Sequence, residues 1–241
     1  MIAAEAGPFS QQLRCKIALV IPPRVEQRNS IWRHPRLRDL LPELMFTVHT
    51  IIRASVQLMR AALWCARKAP SSDALFGEIA RYFEPHIAEE MHHDEWLLQD
   101  MEVLGIKRSE VLRRLPSTRV ASMVGAQYYW IYHVHPIALL GYIAVMEGCP
   151  PAAEEVEAAI SRSALPRDVF RTFLIHADLD GHHREELDQF LDRLSLSPEH
   201  ADLIGVSSLT TAIDLSRIYE EAFASFIPRD AQFVDSDAGN M

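Results

Sequence analysis

The chain has 241 residues, 49% of them hydrophobic and 24% charged, with nine glycines set against long Ala/Leu/Glu/Arg-rich stretches; this is enough material for one sizeable core, and it favours a single all-α domain. A formal charge of −9, from 33 acidic and 24 basic residues, excludes a phosphate-binding face supported by global charge, so no nucleic acid partner is expected. No apolar run of about 18 residues occurs and Ile17 to Pro22 lacks a small-residue cleavage pattern, so no membrane association or export is expected, and the default location is cytoplasmic.

Residues 1–35 mix Gln, Arg, Asn and Pro with little periodicity and are expected to form a flexible leader. Its basic cluster, Arg24 to Arg38, is broken by prolines and has no amphipathic pattern, which argues against a membrane anchor. The helical domain is expected over 36–227, and 228–241 reads as a flexible polar tail. Within the domain a first helix runs from Pro42 to Ala69 and is closed by Pro70. Ser71-Ser72 caps a second that continues to Leu104-Gly105, with Pro85 as the place for a kink. A short helix follows Ser109, and a third long one spans Ser117 to Glu147 with a kink at Pro136. Beyond the Gly148–Pro151 break, helices are expected over 151–163, 166–194 and 198–226, the last two opening at prolines, which the first helical turn tolerates.

At 100° per residue, Phe76, Ile79, Phe83, His86, Glu90, His93, Leu97 and Met101 fall on one stripe of the second helix. A carboxylate in the middle of an apolar face is costly to desolvate unless it is paired, protonated or metal-bound. The neighbouring pair Glu89 and His92 has the same spacing but points off this stripe. In the helix from Pro166, the same projection aligns Val169, Phe173, His176, Asp180, His183, Leu187 and Phe190, stacking three donors over two turns. The third long helix contributes Glu147 at the end of the apolar run Ile137 to Met146; projected back through Pro136, its face also reaches His133 and Tyr129, candidates for lining a substrate pocket. Two carboxylate-x-x-His pairs, Glu90/His93 and Asp180/His183, joined by Glu147 and His176, approach the inward-facing donor set of dinuclear metal bundles. Three oxygen and three nitrogen donors suit two Fe(II) ions, or Mn, with positions left open for O2.

These segments resemble the haem-oxygenase-like non-haem diiron oxidases and oxygenases, also described as iron-containing redox enzymes. The matching stretches are Glu89-Glu90-Met91-His92-His93-Asp94-Glu95-Trp96 leading to Leu104-Gly105, then Leu140-Gly141-Tyr142 to Met146-Glu147-Gly148, then His176-x3-Asp180-x2-His183, together covering about residues 75–195. The resemblance implies a haem-oxygenase-like helical bundle whose metal ligands are Glu90, His93, Glu147, His176, Asp180 and His183. Some relatives carry a glutamate one turn before the first pair, where this chain has His86, which the resemblance leaves open as an extra ligand, a hydrogen-bond partner of a ligand, or a cavity residue. It implies an O2-dependent oxidoreductase that oxidises, oxygenates or cleaves a small substrate such as an amino acid or fatty acid derivative. An electron donor and a homodimer are further expectations. The alternatives are a non-redox thiaminase-like hydrolase and a non-catalytic metal- or haem-binding protein. The hydrolase needs a cysteine nucleophile; Cys15, Cys65 and Cys149 are odd in number, unpaired in spacing and without a base on their stripe, so they are expected to be plain reduced thiols.

Overall fold

The computed structural model describes residues 7–20, 31–69, 73–148 and 151–224, apart from the side chain of Asp180. The expected tail, 228–241, and Cys149 lie outside the described residues. All regular structure within them is helical: α1 (Phe9–Val20), α2 (Leu37–Lys68), α3 (Ala74–Glu90), α4 (His93–Val103), α5 (Arg108–Arg113), α6 (Thr118–His133), α7 (Leu139–Met146), α8 (Ala153–Ser163), α9 (Arg171–Arg193) and α10 (Pro198–Phe223). Short 3-10 turns at Pro136–Ala138 and Arg167–Phe170 lead into α7 and α9. The helix caps follow from side-chain chemistry: Asp73, Ser117 and Ser197 each accept a hydrogen bond from a backbone N–H in the first turn of α3, α6 and α10.

Long α2 serves two apolar clusters. Leu37 to Phe46 pack in one, with Leu97, Met101, Phe170 and Phe173. Ile51 to Ala66 pack in the other, with Phe83, Ile143, Leu187 and Phe190. The seam between the clusters is therefore crossed by α3/α4 between Ile87 and Leu97, and by α9 between Phe173 and Leu187. The polar stretches Glu90–His93 and His176–His183 occupy those intervals, so the apolar pattern itself delivers them to one level of the bundle. At the α7–α10 crossing Gly141 permits backbone contact: a Cβ there would lie 2.3 Å from the carbonyl oxygen of Ile204.

Four sequence expectations are corrected. The leader is not without structure: α1 buries Leu13 and Ile17, and Asp192 accepts hydrogen bonds from both the backbone N–H and the hydroxyl of Ser10. Two buried side chains one turn apart give too little periodicity to read without these distant partners. Helix α2 begins at Leu37, five residues before Pro42, which sits inside it; a proline near a helix start removes few backbone bonds. The second expected helix is two, parted at Met91-His92, where His92 takes a left-handed backbone conformation (φ 76°); Pro85 lies within α3 without ending it. The third long helix also divides. Val134 leaves helical geometry (φ −126°, ψ −84°), so the phase of α7 does not carry back into α6.

Candidate metal centre

Six described side chains converge at the seam. His86 and Glu90 come from α3, His93 from the start of α4, Glu147 from the cap of α7, and His176 and His183 from α9. Donor atoms of Glu90, His93 and His176 lie within 4.8 Å of one another, and so do those of His86, Glu90 and Glu147. Glu90 belongs to both groups. His183 joins through Nδ1, 3.5 Å from Glu90 Oε1, with its ring 5.1 Å from that of His86. Asp180 occupies its expected place on α9, but its side chain lies outside the described residues. Glu89 and His92 are exposed, as their phase predicts.

Tyr129 and His133 do not join the centre. Tyr129 is 57% exposed, and its ring lies against that of His133 on the solvent side of α6. The break at Val134 removes the projection that placed them on a cavity.

Within the cluster, His86 Nε2 donates to Glu147 Oε1 over 2.8 Å. Burial pulls the His86 pKa down, but the hydrogen bond and charge of Glu147 outweigh it and the ring is pushed up. For Glu90 burial favours the neutral acid, yet the neighbouring imidazoles, His93 first, hold the carboxyl below its usual range. His176 is pushed down by burial. Its Nδ1–H donates to the carbonyl of Thr172 over 2.8 Å, which leaves the Nε2 lone pair free to act as a ligand. Thr172 is held in turn by buried Asp100, which accepts from both its N–H and its hydroxyl. Trp96 stacks on His93 at 4.1 Å. Sequence reasoning passed over Asp100, Thr172 and the role of Trp96, because a single polar residue on a helix carries no periodic signal.

The donor set fits a pair of divalent metals on one physical observation. Glu147 Oε2, His93 Nδ1 and His183 Nδ1 are buried without a hydrogen-bond partner among the described residues, although His93 Nδ1 lies 3.1 Å from Glu90 Oε2 out of alignment. Native proteins rarely leave such groups unsatisfied, and three lone-pair donors around a carboxylate shared by two clusters are what a dinuclear site supplies. A second group, Asp73, His135 and His200, is also compact, and the N–H of Ile137 donates to His135 Nδ1. His135 Nε2 lies 3.7 Å from Asp73 Oδ2, buried and without a hydrogen-bond partner among the described residues, so this group stands as a separate donor cluster away from the seam.

Beside the centre lies a cavity of about 150 Å³ reached by Glu90, Glu147 and His176. One wall is a stripe of α2: Leu44, Val48, Ile51, Ile52, Ser55 and Met59. Trp32, Ile143, Phe173 and Leu215 close the rest. Neither Cys15 nor Cys65 lines it.

The family profile described as iron-containing redox enzyme matches residues 55–210, a span holding all six converging side chains and Asp180. No curated protein matches the chain. Solved structures share its fold. A domain of unknown function with a haem-oxygenase-like fold from Shewanella denitrificans aligns at a TM-score of 0.65 and 18% identity, covering 91% of this chain and 98% of its own. A TenA homologue from Pseudomonas syringae pv. tomato aligns at 0.70 and 12%, covering 92% and 96%. A CADD-like protein of unknown function from Nostoc punctiforme aligns at 0.67 and 17%, covering 91% and 99%. The fold is accordingly a single haem-oxygenase-like helical bundle, and no helix among the described residues is long and apolar enough to cross a membrane.

Proposed function

The chain belongs to the iron-containing redox enzyme family, and from that premise we propose that it is an O2-dependent oxidoreductase with two ferrous ions at the seam. His93 and His176 would hold one ion and His86, Glu147, Asp180 and His183 the other. The observation that carries this reading is the membership of Glu90 in both donor groups. Bound iron would supply the electrons and open coordination positions that O2 needs for reduction.

The remaining work falls to the chain's own groups. Thr172, fixed by Asp100, holds His176 in the tautomer that offers Nε2. The apolar walls of α2, α7 and α10 keep water from the reacting atoms and hold the substrate against Glu90, Glu147 and His176. In the metal-free chain His86 Nε2 donates to Glu147, and a metal held by His86 and Glu147 would displace that proton.

The test is anaerobic Fe(II) loading with metal analysis, then exposure to O2 while the visible spectrum is followed. The expected result for the native protein is about two irons per chain and a transient absorption band, with about one iron in His93→Ala and almost none in Glu90→Ala. Iron binding of equal stoichiometry in Glu90→Ala would sink the dinuclear reading.

A further inference from the structure

Away from the seam, three donors meet from distant parts of the chain: Asp73 at the cap of α3, His135 between α6 and α7, and His200 in the first turn of α10. One donor atom from each lies within 4.8 Å of the other two. Each side chain is held by a neighbour. Asp73 Oδ1 accepts from the N–H of Leu75 over 2.9 Å, while Oδ2 lies 3.7 Å from His135 Nε2. The ring of Phe76 lies 4.5 Å from that of His135, and the hydroxyl of Ser197 occupies Nδ1 of His200 at 3.3 Å. At 3.7 Å no hydrogen bond joins Asp73 to His135, and the buried Nε2 of His135 has no other partner among the described residues. Burial, with His200 beside it, holds the His135 ring below the usual histidine range, in the neutral form that ligates metals.

We propose that Asp73, His135 and His200 form a second, mononuclear site for a divalent metal of zinc chemistry, separate from the centre at the seam. The spacing selects the ion. Two donors held by a tetrahedral zinc stand about 3.4 Å apart, whereas neighbouring donors on an octahedral ion of similar bond length stand about 3.0 Å apart. The 3.7 Å between Asp73 Oδ2 and His135 Nε2 closes on a tetrahedral ion with a shift of about 0.3 Å. Two imidazoles and one carboxylate are a zinc donor set with a fourth position for water, and Asp73 and His200 line an open pocket of about 700 Å³ that supplies it. One bond is given up in return. Ligation through Nε2 puts the proton of the His135 ring on Nδ1, so the Ile137 N–H, which donates to that atom over 3.2 Å, loses its acceptor.

Zinc ion is the probe. Protein loaded anaerobically with Fe(II) is titrated with Zn(II) by calorimetry, and both metals are counted after gel filtration. The expected result is about one zinc per chain beyond the iron, with iron stoichiometry unchanged. His200→Ala and Asp73→Asn should each weaken zinc binding at least about tenfold and keep the iron. Asparagine retains the cap of α3, so loss of zinc from Asp73→Asn is not a loss of folding. Glu90→Ala, which breaks the seam cluster, should bind the same zinc. A zinc that Glu90→Ala loses and His200→Ala keeps belongs to the seam and overturns the proposal, as does native protein that takes up no zinc beyond its iron. Protein that binds this zinc but no iron keeps the site and discards the centre at the seam. Amide hydrogen exchange supplies the geometric signature: Ile137 should exchange faster in the zinc form even as the melting temperature rises. Unchanged exchange at Ile137 would remove His135 Nε2 from the ligand set, and the three-donor site with it.

Discussion

The hydrogen bond from His86 Nε2 to Glu147 makes metal binding at that half of the centre a proton-coupled event. Burial opposes the imidazolium, but Glu147 raises its pKa above the ordinary value of 6.5. A histidine raised in the folded state contributes stability that is fully present below about pH 6.5 and is lost as pH rises through the raised value. In metal-free protein the gap in melting temperature between native chain and Glu147→Gln should therefore be widest at mildly acidic pH and narrow towards alkaline pH; a gap that widens instead would place the proton elsewhere. Metal must displace the same proton, so Fe(II) affinity should rise across that window. At this scale the sequence was informative wherever a polar residue interrupted an apolar stripe, as at Glu90, His93, His176 and His183. It left His86 open, since a lone inward histidine one turn before Glu90 reads the same whether it is a ligand or a ligand's partner; the contact with Glu147 comes from a residue 61 positions away.

Between α3 and α4 the chain turns at His92, a non-glycine residue at φ 76°, and the turn sits between the donors Glu90 and His93. Such a conformation costs about 1–2 kcal/mol for an L-residue. His92 is exposed, so replacing it removes few contacts. His92→Gly should raise stability by about 0.5–1 kcal/mol, less the entropy that glycine adds to the unfolded chain, or about 1–4 °C in a domain of this size. His92→Val, β-branched at positive φ, should fall below the native protein. Thermal melts of the three metal-free chains decide this; a native protein more stable than His92→Gly would mean that the turn is held by more than its backbone preference. The break was invisible in the sequence because Glu90 and His93 stay on one side of the helix whether or not it is continuous. The joint at Val134 was hidden differently: Pro136 suggested a kink, but only the full departure from helical geometry detaches Tyr129 and His133 from the face that carries Glu147.

Across the whole molecule the centre depends on two apolar clusters meeting at one level, and the N-terminal helix helps to fix that level. Arg14 of α1 pairs with Asp188 of α9 at 2.7 Å and donates to the carbonyl oxygen of Ala144, 2.6 Å away, at the end of α7. Three residues later comes Glu147. Gly148 leaves room for this contact, since a Cβ there would lie 2.7 Å from Arg14 Nη1 and 2.2 Å from the Ala144 oxygen. One half-buried guanidinium thus ties a helix end carrying one donor to the helix carrying His176 and His183, through partners 130 and 174 residues distant. No local pattern in residues 1–35 announces such a role. Arg14→Ala leaves Asp188 and the Ala144 carbonyl without this partner and should cost about 1.5–3 kcal/mol in urea unfolding of metal-free protein, the range for hydrogen bonds to charged groups. Glu147, no longer held at the end of α7, should then lose iron faster under chelator challenge. Asp188→Asn weakens the ion pair but keeps the bond to Ala144, so its iron should be retained better than that of Arg14→Ala. Equal iron loss from the two variants would assign the effect to the α1–α9 pair, and native retention in Arg14→Ala would show that α1 braces the bundle without positioning the metal ligand.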